Sequence, residues 1–334
     1  MLRIYRHQDN RLVPTDLAVT EKSPTPDVAS GLWIDLINPT KSENQFTERA
    51  LGVSIPTRDE AEEIGVSARL YHDDGAEFMT MSGVSQLETD LAATTPITFV
   101  LKGDTLVTIR YAEPKPFWTY ATRVQKPGAV ACTNGEDIML GLAEALIGRM
   151  AEALEKVGRS LEQLSREVFR HKGIKGKTTK SHDFQVIIEQ LGARGDLLAM
   201  IRESLVSLNR LLAYHTATTG RGGVGFDKEA AVWVKDMAQD VTALSDHATY
   251  LTNKTSFLLD ATLGLINLEQ NQIIKIFSIA AVVLLPPTLV ASVYGMNFKN
   301  IPELEWLFGY PYALCLIVLA AILPYLWFRR MGWL

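Results

Sequence analysis

Polar residues recurring along one side of an otherwise apolar helix are the first chemistry this 334-residue chain offers. Asp260, Asn267, Asn271, Ile274, Ser278, Ala281, Leu285, Thr288 and Ser292 follow at steps of three, four and seven residues, so they share one helical face. That face alternates small or polar groups with apolar ones, whereas a lipid-facing stripe would be apolar throughout. Amide and hydroxyl oxygens inside an apolar run normally turn towards a partner or a water-filled path. Ile274 and Leu285 are the large apolar members of the same face. Helix–helix hydrogen bonding is the other use open to Asn271 and Thr288. Catalytic chemistry finds no comparable pattern. His7, His72, His171, His182, His215 and His247 show no HExxH or other paired metal spacing, and no glycine-rich loop would cradle a phosphate. Cys132 and Cys315 are too few and too separated for a disulfide framework or a thiolate metal site. Neither an enzyme nor an organic cofactor is expected.

The face needs a membrane around it, and two segments supply one. Ile276–Tyr294 and Tyr310–Phe328 are each 19 residues without a charge. At 1.5 Å per residue each can just cross about 30 Å of hydrocarbon. Lys275 precedes the first span and Arg329-Arg330 follow the second, while the loop 295–309 between them sets Lys299 against Glu303 and Glu305. The excess of basic residues on one side predicts that both termini are cytoplasmic and the loop is outside. Trp306, Tyr310, Tyr312, Tyr325 and Trp327 sit where interfacial anchors would. Charge is unevenly spread. Residues 1–270 hold 29 basic and 36 acidic side chains, a net of −7, and offer no basic footprint for nucleic acid. Met1 to Asn10 has no apolar run behind its arginines, so no signal peptide is expected and the large domain should be cytoplasmic.

That domain reads as α/β to about residue 130. Leu32 to Leu36 is a strand ending at the turn signal Asn38-Pro39, and Thr57 to Arg69 is helical with Thr57 as N-cap. Ile97–Leu101 and Leu106–Arg110 flank Lys102-Gly103-Asp104 as a hairpin. Residues 135–170 are helical, with Leu142, Leu146, Met150, Leu154, Val157, Leu161 and Leu164 in phase. The Gly- and Lys-rich stretch His171 to Lys180 breaks this helix, a second runs from His182 to Tyr214, and the two should pair antiparallel. A third begins near Asp227 and meets no strong break before Pro286. Leu244, Leu251, Leu258 and Leu265 with Val234, Val241 and Ala248 give it a heptad seam. Pro286-Pro287 is expected to bend it.

At the outer end of the first span stands Tyr294-Gly295-Met296-Asn297. Here the chain resembles the CorA family, whose signature is a Gly-Met-Asn tripeptide at this place. Glu269 to Ser278, Leu285 to Leu289, Ile301-Pro302-Glu303-Leu304 and the terminal Trp333-Leu334 resemble the family too, and weaker similarity reaches Trp33 to Leu36. The resemblance implies a magnesium channel of α+β class, with Co2+ and then Ni2+ as its further candidate cargoes. It implies a homopentameric ring in the cell inner membrane, with no nucleotide or nucleic acid partner. Its parts would be an α/β domain (1–130), an antiparallel helical pair (131–225), a stalk helix (226–275), the spans 276–294 and 310–328, the motif and outer loop (295–309) and a cytoplasmic tail (329–334).

Further roles follow from the resemblance alone. Gly295, Met296 and Asn297 would form a selectivity filter at the head of the pore-lining face, with Glu303 and Glu305 at the outer mouth. Lys299 stands where many family members carry an acidic residue. Intracellular Mg2+ would close the pore through acidic residues between neighbouring domains. Asp236 aligns with the family's stalk carboxylate, while its partner position falls on Gln86, with Glu88 or Asp90 as substitutes. Two other readings remain open at this point: a ZntB-type zinc transporter, and a membrane-anchored sensor without a pore.

Overall fold

The computed structural model describes residues 1–9, 11–17, 31–63, 65, 69–87, 91–126, 132–170, 181–219, 228–297 and 302–332. These fall into two compact units, Met1–Lys177 with Gln185–Leu259 and Thr178–Phe184 with Asp260–Leu334.

The first unit opens with a seven-stranded mixed sheet. Its strands are β1 (Leu2–Gln8), β2 (Arg11–Leu17), β3 (Trp33–Ile37), β4 (Leu70–Asp73), β5 (Ala76–Ser85), β6 (Ala93–Lys102) and β7 (Thr105–Arg110). They lie in the order β2-β1-β3-β7-β6-β5-β4, and only β3 and β7 run parallel. The expected hairpin closes β6 onto β7 with Lys102 opposite Thr105, and Gly103 takes the positive φ of 55° that the tight turn requires. Alternation along the strands makes two faces. One carries Leu2, Ile4, Ile34, Leu36, Val107 and Ile109 against Phe46 of α1 (Lys41–Leu51). The other carries Tyr5, Trp33 and Phe99 against Phe117 and Tyr120 of α3 (Lys115–Val124). On that second face a buried ion pair replaces apolar contact. Arg110 grips Asp35 through Nε and Nη2 at 3.0 and 2.8 Å, and Thr108 donates to the same carboxylate at 2.8 Å.

The helix expected from Thr57 to Arg69 is shorter. Thr57 and Glu60 do form a reciprocal capping box, but α2 is only Arg58–Glu62. Glu63 leaves helical geometry at ψ 139°, ahead of Gly65, whose backbone freedom makes it a weak helix former. Residues 64 and 66–68 lie outside the described set.

Three long helices complete the chain's inner part: α4 (Gly135–Arg170), α5 (Ser181–Thr219) and α6 (Lys228–Tyr294). Gly135 starts α4 where any Cβ would meet the backbone of Leu106 at 2.6 Å, so glycine permits the close approach to β7. α4 and α5 are antiparallel as expected: Arg194 donates to Ser160, and near the other end His215 meets Glu136. α6 runs parallel to α4, since Phe169 stacks on Phe257 and a methyl on Gly158 would touch Leu251 at 3.7 Å. The heptad seam is what it buries: Val234, Met237, Val241, Ala248, Leu251, Thr255 and Leu258. Thr262 is the last residue of that seam to be buried. The connections 171–180 and 220–227 fall outside the described residues.

In the second unit α6 continues to Tyr294, and a short turn (Pro302–Glu305) leads into α7 (Gly309–Arg330). Both helices are long and apolar enough to cross a membrane, and only 6% and 0% of their most apolar windows is buried. That exposure excludes the core of a soluble fold for this chain on its own. Pro286 and Pro287 stay within α6, where they leave the carbonyls of Val282 and Val283 without helical donors.

Candidate functional site

The motif begins where α6 stops. Gly295 N–H bonds to Ala291 carbonyl at 2.9 Å and Met296 N–H to that of Val293 at 3.3 Å, a wind-down that closes the helix at Tyr294. Asn297 follows as the first residue free of helical geometry, exposed like Gly295 and Met296. The motif therefore follows directly on the end of the span, with the Asn297 amide outside helical geometry.

Below it the nine face residues, from Asp260 to Ser292, are all exposed in the single chain. Ile279, the one buried residue of the first span, lies on the opposite side with half-buried Val283, Pro286, Pro287 and Val290. At 100° per residue the two stripes are roughly 150° apart. Ala313, Leu316, Ile317, Ala320, Ala321 and Pro324 make a similar sheltered stripe on α7, which fits one span backing the other. The polar face is thus the side of α6 away from its sheltered stripe. Thr288 gives it a definite polarity. Its hydroxyl donates to the Leu284 carbonyl at 2.8 Å, so the oxygen presents only lone pairs outwards. Lone pairs suit the outward-pointing hydrogens of a hydrated cation.

Between the two apolar helices, Gly309 lets the 302–305 turn lie against the start of α7, since any Cβ there would collide with the Glu303 carbonyl. Glu303 is half-buried in that turn, and Glu305 closes it. Trp306 and Tyr312 pack at 6.3 Å between ring centres at the head of α7, as interfacial anchors would. Lys299 and Ile301 lie outside the described residues, as do Trp333 and Leu334.

The expected regulatory ligands are not brought together in what is described. Asp236 is exposed on α6, and Glu88 and Asp90 lie outside the described residues. No group of three His, Cys, Asp or Glu suited to a metal occurs among the described residues. Two buried charge clusters escaped sequence reasoning: Asp35 with Arg110, and His215 between Glu77 and Glu136. Their members stand 75, 138 and 79 residues apart, so no local spacing announces them.

With this geometry in place, the relatives are informative. A family model described as CorA-like Mg2+ transporter protein matches residues 29–330. The magnesium transport protein CorA of Escherichia coli strain K12 is 34% identical over 335 residues, covering 100% of both chains. Among solved structures, the complete CorA magnesium transporter of Methanocaldococcus jannaschii superposes with a TM-score of 0.77 at 18% identity, over 100% of this chain and 99% of that one. The ZntB cytoplasmic domain of Vibrio parahaemolyticus gives 0.55 at 8% identity, over 79% and 97%, which is a likeness of fold alone.

Proposed function

The chain belongs to the CorA family of Mg2+ transporters, and from that premise we propose that it passes hydrated Mg2+ along the polar face of α6, with Asn297 as the selecting group. The carrying observation is geometric. The face runs from Asp260 to a motif that ends the helix, it is bare, and α7's sheltered stripe corresponds to the other side.

Several chains must combine, because one helix encloses nothing. A homopentamer brings five Asn297 amides and the Gly295 carbonyls into a ring of neutral oxygens. Mg2+ gives up its waters reluctantly, so a ring that accepts hydrogen bonds from the hydration shell is easier to enter and leave than a dehydrating cage. Thr288, with its proton occupied, and Asn271 and Asn267 continue the same contacts inwards. Ile274 and Leu285 close the path when it dries. Glu303 and Glu305 concentrate cations at the outer mouth, opposed by Lys299. With both termini cytoplasmic in an inner membrane, a divalent ion moving inwards gains about 4.6 kcal/mol per 100 mV, so no nucleotide or other energy source is needed.

Closure by intracellular Mg2+ at Asp236, with Glu88 or Asp90 of a neighbouring domain, is part of the same proposal. Mg2+ is then both cargo and regulator, and lipid and the other subunits are the remaining partners. No organic cofactor, nucleic acid partner or catalytic step enters this reading. Co2+ and Ni2+ are the other cargoes it admits. The zinc alternative has less behind it, since full-length similarity is to a protein named for magnesium.

The test is Mg2+ entry into liposomes under an inside-negative potential, for the wild type and Asn297→Ala, with Co2+, Ni2+ and Zn2+ as comparison ions. Wild-type entry of Mg2+ with loss in the variant is expected. Equal entry in both would remove the filter assignment, and Zn2+ entry without Mg2+ would favour the zinc reading.

A further inference from the structure

His215 stands apart from the ion path and from every role assigned so far. It is 1% exposed, whereas His7, His72 and His247 are exposed. Its ring sits between two carboxylates. Nδ1 lies 3.0 Å from Glu77 Oε2 on β5, and Nε2 lies 3.0 Å from Glu136 Oε1 in the first turn of α4. A neutral imidazole carries one N–H, so one ring nitrogen would then face a carboxylate lone pair to lone pair. Only the doubly protonated ring donates to both. The geometry therefore contains a bound proton.

That proton is held at a joint. β5 belongs to the sheet, Glu136 opens α4, and His215 lies in the last turns of α5. Since α4 and α5 are antiparallel, the two helix ends meeting here form the open end of the pair. We propose that His215 is a proton-held clamp, fastening the open end of the α4–α5 pair to the sheet, and that loss of its proton uncouples the two layers.

The surroundings favour the charged ring. Glu77 and Glu136 raise the imidazole to about 9 against the opposing effect of burial, and His215 with Thr218 lowers Glu77 despite its own burial. Glu136 also profits from the helix N-terminus, where a negative charge is welcome. Three other titratable groups lie near the joint. Asp137 accepts from Thr133 N–H and Oγ1 at 2.9 Å each, which keeps it in the helix cap. His72 on β4 stands directly opposite Glu77 in the β4–β5 register, and His72 and Tyr214 on α5 both interact with Glu77 through charge.

The sign is definite. A basic group raised on folding adds stability that is complete below the unfolded value of about 6.5 and disappears as pH rises through 9. The test is thermal unfolding of the full-length protein in detergent between pH 6 and 10, for wild type, His215→Gln and Glu136→Gln. Groups common to all three cancel in the differences. The folding-equilibrium ratio of wild type to H215Q should fall by up to about tenfold per pH unit between 6.5 and 9, then level off. A wild-type advantage that stays constant with pH would mean that the ring only fills space, and would overturn the clamp. If H215Q does not fold, E136Q decides: the alkaline fall in stability should level off at a lower pH than in wild type, and an unmoved profile would overturn the proposal. Hydrogen exchange in Leu211–Thr219, corrected for intrinsic rates, should rise over the same pH range in wild type alone.

Discussion

Single residues on the two sides of this molecule act through different physics. On the proposed pore face, Thr288 would act through the lone pairs it shows, because its proton is tied to the Leu284 carbonyl. Thr288→Val keeps shape and removes those lone pairs, so Mg2+ entry into liposomes should slow several-fold, while Thr288→Ser keeps the oxygen and most of the rate. In the sheet, Asp35 matters because it is 1% exposed and held by Arg110 and Thr108. Asp35→Ala strands the guanidinium in the interior and should cost about 3–5 kcal/mol in denaturant unfolding, whereas breaking an exposed pair such as Arg58–Glu62 should leave unfolding nearly unchanged. Spacing alone singles out Thr288 for the proposed pore face, since periodicity is local. Asp35 read only as part of a strand, because the partner that makes sense of a buried carboxylate sits on β7, far along the chain.

Elements were legible in proportion to their length. The 3.6-residue rhythm of α4 located it at 135–170, and the heptad in α6 foretold which side would be buried. In α2 one good N-cap promised more helix than five residues deliver, because a cap fixes a start and says nothing about where pairing ends. The seam also has an inner gradient: Leu251 and Leu258 are buried, whereas Leu265 is half-exposed. Leu251→Ala should therefore destabilise the first unit by about 2–5 kcal/mol, and Leu265→Ala by clearly less, as read by unfolding of the two variants side by side. The proline pair was read as a bend, and it is carried inside the helix. What two missing donors do to α6 is set by its packing, which sequence does not display.

At the scale of the molecule, the fold class, the two apolar helices and the family were all readable from the chain, and the assembly is the step that rests on proposal. The isolated chain leaves Val232, Tyr250 and Phe257 exposed on α6, together with Ile274, Leu284 and Leu285 in its span. Apolar surface of that extent is more than a soluble monomer tolerates, and partners or lipid must cover it. Light scattering of the detergent-solubilised protein should give a mass of five chains. Asp236→Asn should weaken the protection that Mg2+ gives against proteolysis, and unchanged protection would dissociate Asp236 from closure. The central claim concerns which side of α6 is wet, and cysteine reactivity measures it most directly. In a background without Cys132 and Cys315, single cysteines at Ser278, Thr288 and Ser292 should react with a small membrane-impermeant thiol reagent and block Mg2+ entry, while cysteines at Ile279, Val283 and Val290 should do neither. Reaction confined to the second set would contradict the account.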